Sequence, residues 1–197
     1  MPRRPRIQYE GALYHVTTRG NERGDIFVLD ADRELLLAIL ADVVERLEWI
    51  CHAYCLMTNH YHLLIQTPQA NLWQGMHMLN SRYVKAFQKR RGRAGHLLER
   101  RYRPLLVERQ EYLLEVARYV VLNPVRAGIC RHAEDWPWSS YRATAGLAPR
   151  PHFLTTKWLL GSFGGSVRRY REFVEAGSPA ASVEGLLLGL KGHVPGA

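Results

Sequence analysis

No apolar run in this 197-residue chain approaches the length needed to cross a bilayer. The basic start, Met1-Pro2-Arg3-Arg4-Pro5-Arg6, is followed by no uninterrupted apolar signal region. Both absences point away from a membrane and toward the cytoplasm. Cysteine is scarce and odd in number: Cys51, Cys55 and Cys130. That excludes a disulfide framework and fits thiols kept reduced. Cys51 and Cys55 precede His60 and His62, but they lack the paired ligand knuckles of structural zinc sites. Four residues apart on an extended run, they are too far separated to share one ion, and small core residues are the better reading. Acids are also outnumbered. Eighteen Asp and Glu face twenty-seven Lys and Arg, for a formal net charge of +9. There is no internal repeat.

What is present begins with that charge, whose sign and size point to a polyanionic partner. It is concentrated in residues 89–103, KRRGRAGHLLERRYR, and in the opening RRPR. These stretches contain Gly, His and Tyr and do not form a long basic amphipathic helix, so nucleic acid fits better than a membrane surface. Arg3, Arg4, Lys89, Arg90, Arg91, Arg100, Arg101 and Arg103 are the candidate nucleic-acid contacts. A solvated charge run is the plain alternative.

The pattern predicts strands over 12–20, 50–57, 60–67 and 104–109. Helices are expected over 31–48, with Asp30 and Asp32 as capping oxygens, over 72–90, capped by Asn71, and over 111–124, stopped by Pro124. Residues 89–103 read as a loop. The order β-α-β-β-α-β-α matches a split βαβ motif, an α+β ferredoxin-like sandwich with an antiparallel sheet and helices on one face. Residues 1–148 would form the main domain. Residues 149–197 would be a helical or flexible tail.

His60 and His62 are two apart on the 60–67 strand, so they share a face, with Tyr61 opposite. They read either as polar residues on a solvated face or as a metal or proton-transfer site. Tyr119 and Asn123 are four apart on a helix and share a face as well. Tyr119 also reads as a core aromatic, and Asn123 as a helix-end residue before proline. Tyr112, one heptad earlier, is a rival to Tyr119. His15 reads as a core histidine or a phosphate contact. Trp136 and Trp138 read as packing anchors.

Four blocks, AYCLMTNHYHLLIQTP, GHLLERRYRPLLVE, YLLEVARYVVLNPVRAG and DWPWSSY, together resemble the single-tyrosine HUH transposases, and within them the REP-associated tyrosine transposases. The resemblance runs over residues 11–141. It implies a ferredoxin-like domain that cuts and rejoins single-stranded or hairpin DNA, as monomer or homodimer. By position, His60, His62 and Asn123 match the metal ligands, and Tyr119 matches the nucleophile. Two imidazoles and an amide oxygen suit Mg²⁺ or Mn²⁺. A catalytically silent hairpin-binding relative is the alternative. An RNA-binding ferredoxin-like domain is disfavoured by the lack of an aromatic-Gly-aromatic sheet motif.

Overall fold

In the computed structural model, residues 8–92, 94–99, 101–107, 111–177 and Gly185 are described. Four antiparallel strands form one sheet in the order β2-β3-β1-β4. They are β1 (Ala12–Arg19), β2 (Ile50–Leu56), β3 (His60–Thr67) and β4 (Arg103–Leu106). Between them run α1 (Asp30–Arg46) and α2 (Leu72–Arg91), and after β4 comes α3 (Glu111–Arg126). The α+β class and the antiparallel sheet follow the sequence expectation.

Alternation along the strands builds two cores. Tyr14 and Val16 of β1 and Tyr61, Leu63 and Ile65 of β3 pack with Leu36 and Leu40 of α1 and Leu79 and Tyr83 of α2. Leu13 and Leu64, one residue out of step, pack with Val116 and Val120 of α3. The helices are therefore not all on one face. α1 and α2 share a face, and α3 covers the other. The continuous burial of β3 from Tyr61 to Ile65 is the consequence, because a central strand covered on both sides has no solvated face. Each fully buried leucine or valine contributes about 1.5–3 kcal/mol.

A register shift between Cys51 and Ala53 marks a bulge in β2. It places Cys51 in the α1–α2 core and Cys55 in the α3 core, so the two thiols lie on opposite faces. Burial pushes the Cys51 thiol up to about 12 and raises that of Cys55 as well. Both are core residues, as expected from sequence.

Several boundaries differ. Pro124 does not stop α3, which continues to Arg126. Asn71 makes no side-chain cap. Its amide instead accepts from Trp49 Nε1 at 2.7 Å and donates to the Leu47 carbonyl at 3.2 Å, tying α2 to the end of α1. The expected loop 89–103 begins as the last turn of α2 and ends as the first residue of β4. The short helix α4 (Tyr141–Thr144) comes before residue 149, and α5 (Lys157–Gly161) and α6 (Val167–Glu175) come after it. Tyr170 and Val174 of α6 are buried in the same core as α3, so the chain is packed on the body up to that helix. No helix among the described residues is long and apolar enough to cross a membrane.

Asp32 locks α1 to α2. Its carboxylate is fully buried and accepts the backbone N–H groups of Val28 and Leu29, both at 3.0 Å. It also meets Arg90 at 2.9 Å and Arg91 at 3.2 Å. Burial opposes ionisation, but the two N–H donors and Arg91 outweigh it and hold the carboxyl below its ordinary value. Asp32→Asn is therefore expected to cost about 1–3 kcal/mol in chemical denaturation, through two guanidinium groups left without their anion. The depressed carboxyl adds stability above its unfolded-state value, which is lost as pH falls through the lower folded-state value. The variant should lack this part of the acid-induced loss.

Candidate active site

The pairing of β1 with β3 sets the site. Thr17 lies opposite His62, Arg19 opposite His60, and His15 opposite Leu64. Directly opposed residues share a face, so His15, Thr17, Arg19, His60 and His62 all face α3. Gly20 ends β1 at this point. Its N–H donates to the Asn59 carbonyl at 2.8 Å, and a Cβ there would lie 2.0 Å from the Gly24 oxygen. Only glycine lets the chain turn so closely beside the histidine pair.

Each imidazole is held by a neighbour. Asn59 Nδ2 donates to the Arg23 carbonyl at 2.9 Å, which fixes the orientation of its amide. Asn59 Oδ1 then lies 2.7 Å from His60 Nδ1. An amide oxygen only accepts, so His60 Nδ1 carries the proton and Nε2 keeps its lone pair. His62 Nδ1 lies 2.9 Å from His15 Nε2 and 3.2 Å from Thr17 Oγ1. Its Nε2 is buried with no hydrogen-bond partner. Burial lowers His15 and His60 to about 4, with Arg19 adding to the effect at His60. His62 falls well below its ordinary value, first through burial and then through His15, His60, Arg19 and Arg126. All three rings are neutral at neutral pH, the state in which imidazole binds a cation.

Helix α3 brings Tyr119 onto this face. Its ring meets His15 edge-on at 5.8 Å between centroids and His62 at 6.1 Å. The Arg126 guanidinium, two turns later, stacks 4.2 Å from the Tyr119 ring centre. Tyr112, the rival, is buried in the α3 core. Among the described residues, Tyr119 is the tyrosine whose ring meets these histidines.

Asn123 lies one turn beyond Tyr119. Proline at position 124 has no N–H for the Val120 carbonyl, four residues back. Asn123 Nδ2 supplies a substitute, donating to the carbonyls of Tyr119 at 2.9 Å and Val120 at 3.4 Å. That is why the helix survives Pro124. It also commits the amide nitrogen and leaves the oxygen as the free donor to a cation.

The residues present fit a hard divalent ion: the Nε2 lone pair of His60, the buried and unanswered Nε2 of His62, which is a lone pair in the tautomer whose Nδ1 donates to His15 or Thr17, and an amide oxygen. No group of three or more His, Cys, Asp or Glu side chains suited to a metal occurs among the described residues.

The basic candidates scatter. Arg90 and Arg91 hold Asp32 on the α1–α2 side, and Lys89 is exposed in the last turn of α2. Arg103 lies opposite Thr17 on β4, hence on the face of the histidines, and is paired with Glu99 at 3.3 Å. Arg101 is exposed. Arg3, Arg4 and Arg100 lie outside the described residues. Trp136 and Trp138 are packing anchors, both against the Arg33 guanidinium. His15, Thr17, Arg19 and Arg126 complete the site without having been singled out as its members. The i, i+2, i+4 spacing of the first three along β1 is the signal that marks them.

The family model described as "Transposase IS200 like" matches residues 8–123, more than half of the chain and inclusive of His60, His62, Tyr119 and Asn123. The chain belongs to this family of DNA-processing enzymes. A Haemophilus influenzae protein assigned as a REP-associated tyrosine transposase is 24% identical over 143 residues, covering 67% of this chain and 81% of its own. The solved structure of a REP-associated tyrosine transposase bound to a REP hairpin superposes with a TM-score of 0.63 at 18% identity, over 76% of this chain and 89% of that one. That likeness carries the fold.

Asn123→Ala is expected to cost about 1 kcal/mol in urea denaturation, by stranding the Val120 carbonyl. Adding Pro124→Ala restores a backbone N–H to that carbonyl and should recover most of the loss. Strictly additive losses in the double variant would contradict this role.

Proposed function

We propose that the chain cleaves and rejoins single-stranded DNA at a hairpin, with Tyr119 as nucleophile and Mg²⁺ or Mn²⁺ as cofactor. The observation that carries this reading is the edge-on contact of Tyr119 with His62, a buried neutral imidazole whose Nε2 has no protein partner. The family match and the hairpin in the REP-associated relative support the substrate class.

His60 Nε2, His62 Nε2 and the Asn123 amide oxygen would hold the ion. Once bound, it would polarise the scissile phosphate and offset the charge that develops there. The Tyr119 oxygen attacks phosphorus in line, a new Tyr–O–P bond forms, and the P–O3′ bond breaks. The phenol loses its proton and the departing 3′ oxygen gains one, so the products are a free 3′-hydroxyl and a 5′-phosphotyrosine. The link keeps the phosphodiester energy, so a 3′-hydroxyl can reverse the step without ATP. Arg126, stacked on the Tyr119 ring, restricts the ring's orientation. Arg19 and Arg103 bring positive charge to the same face, where a phosphate backbone would pass.

Incubation with labelled hairpin DNA carrying a single-stranded flank should give a covalent protein–DNA band in Mg²⁺ or Mn²⁺ and none in EDTA. Tyr119→Phe should abolish the band while retaining hairpin affinity. His60→Ala and His62→Ala should lower its rate by about 10²-fold or more, and Tyr112→Phe should leave it unchanged. A normal band from the Tyr119 variant would overturn the assignment. Unfolding of the native protein by EDTA would point to a structural ion instead.

A further inference from the structure

A concavity lies on the other side of the sheet from the histidines, between α2 and the segment that leads into β4. It is a cleft of about 840 Å³. At its rim Trp73, in the first turn of α2, is 59% exposed, an unusual state for a large aromatic ring. The ring is not loose. His77, one helical turn on, stacks on it at 5.6 Å with an interplanar angle of 9°. One face of the indole is thus supported and the other is open, an arrangement suited to a flat, apolar-faced partner.

The remaining walls specify that partner further. Lys85 and Arg101 line the cleft, and neither has an ion pair among the described residues. The lining acid, Glu99, is engaged by Arg103 at 3.3 Å. The cleft therefore carries uncompensated positive charge within a chain of formal net charge +9. Asn80 spends its oxygen on the Tyr61 hydroxyl, which leaves its amide N–H groups as donors toward a ligand. A stacking ring, amide donors and two cations are the elements by which proteins hold unpaired nucleotides: base on aromatic face, phosphate on cation. The segment from 97 to 99 runs beside Arg19–Asn21, with Asn21 N–H donating to Leu97 O and Glu99 N–H to Arg19 O, both within 2.9 Å. It leads through Arg101 to Arg103, which faces the histidines from the edge strand. A strand seated in the cleft has a basic route around the sheet edge to the Tyr119 face.

We infer that this cleft binds an unpaired segment of the DNA strand, with one base stacked on Trp73 and the adjoining phosphates on Lys85 and Arg101. The inference rests on the proposed DNA-processing role and adds a second, non-catalytic seat for the same strand. Trp73 is exposed and touches neither core, so its substitution leaves the fold in place.

The test uses the full chain carrying Tyr119→Phe, so that binding is read without cleavage. Affinity is measured for a hairpin with a single-stranded flank, for the same hairpin with an abasic flank, and for the blunt hairpin. Trp73→Ala should weaken binding of the flanked hairpin about tenfold, as expected for one lost base–aromatic stack. It should leave the abasic and blunt forms unchanged, and Trp73→Phe should recover most of the loss. 2-Aminopurine placed in the flank should be quenched by the protein with Trp73 and not by Trp73→Ala. Equal affinity of the alanine variant for the flanked hairpin, or an equal loss on all three DNAs, overturns the inference. Cleavage by the chain with native Tyr119 is scored separately. Absence of cleavage with flank-dependent binding intact sinks the catalytic reading and leaves the cleft standing. Cleavage with no dependence of binding on Trp73 does the reverse.

Discussion

A neutral imidazole buried on a central strand governs this molecule. His62 sits in β3 with a strand on either side, a core packed behind it and α3 in front. Its Nδ1 is answered by His15 and Thr17 from the adjoining strand, while its Nε2 is not. A buried polar atom without a partner has a cost of order 1–3 kcal/mol. In the tautomer whose Nδ1 donates to His15 or Thr17, that nitrogen is a lone pair, and the proposed cation would give it the partner that no described side chain supplies. The antiparallel register that places Thr17 beside His62 also places Arg19 beside His60, so one alignment of β1 on β3 positions the whole face. A slip of one residue would turn both histidines into the α1–α2 core.

Around that nitrogen the protein uses side-chain amides to set direction. Asn59 is held by the Arg23 carbonyl and in turn fixes the tautomer of His60. Asn123 is held by carbonyls of its own helix, one of them left open by Pro124. In both cases the nitrogen of the amide is occupied by backbone and the oxygen is what remains. Under the proposed function Asn59 would orient His60 as an outer group does in a metal site, and the anchored Asn123 amide would present its oxygen as a ligand. The Tyr119 ring, set between imidazoles and the Arg126 guanidinium, is confined in the same manner.

The strands, the three long helices and the pairing of His60 with His62 were legible because periodicity is local. Tyr119 and Asn123 share a face for the same reason. What was not legible is non-local or compensatory. The β2 bulge separates Cys51 from Cys55, although even spacing on a regular strand would put them on one face. Pro124 reads as a stop signal, and only the neighbouring amide explains why the helix runs on to Arg126. Arg90 and Arg91 look like part of a phosphate-binding run, yet Asp32, nearly sixty residues away, claims both. His15 becomes a site residue only through its cross-strand partner. Placement of α3 opposite α1 and α2 follows from burial of both faces of β3, a property that a short apolar run leaves ambiguous.

The central claim is that the phenol of Tyr119 becomes covalently joined to DNA beside the histidine pair. It is tested most directly by trapping the adduct on a hairpin substrate, digesting the protein and locating the nucleotide by mass spectrometry. The account predicts a single modified peptide, from α3, with a 5′-phosphate of the DNA attached to Tyr119. Attachment at Tyr112, or at any residue outside α3, would contradict it.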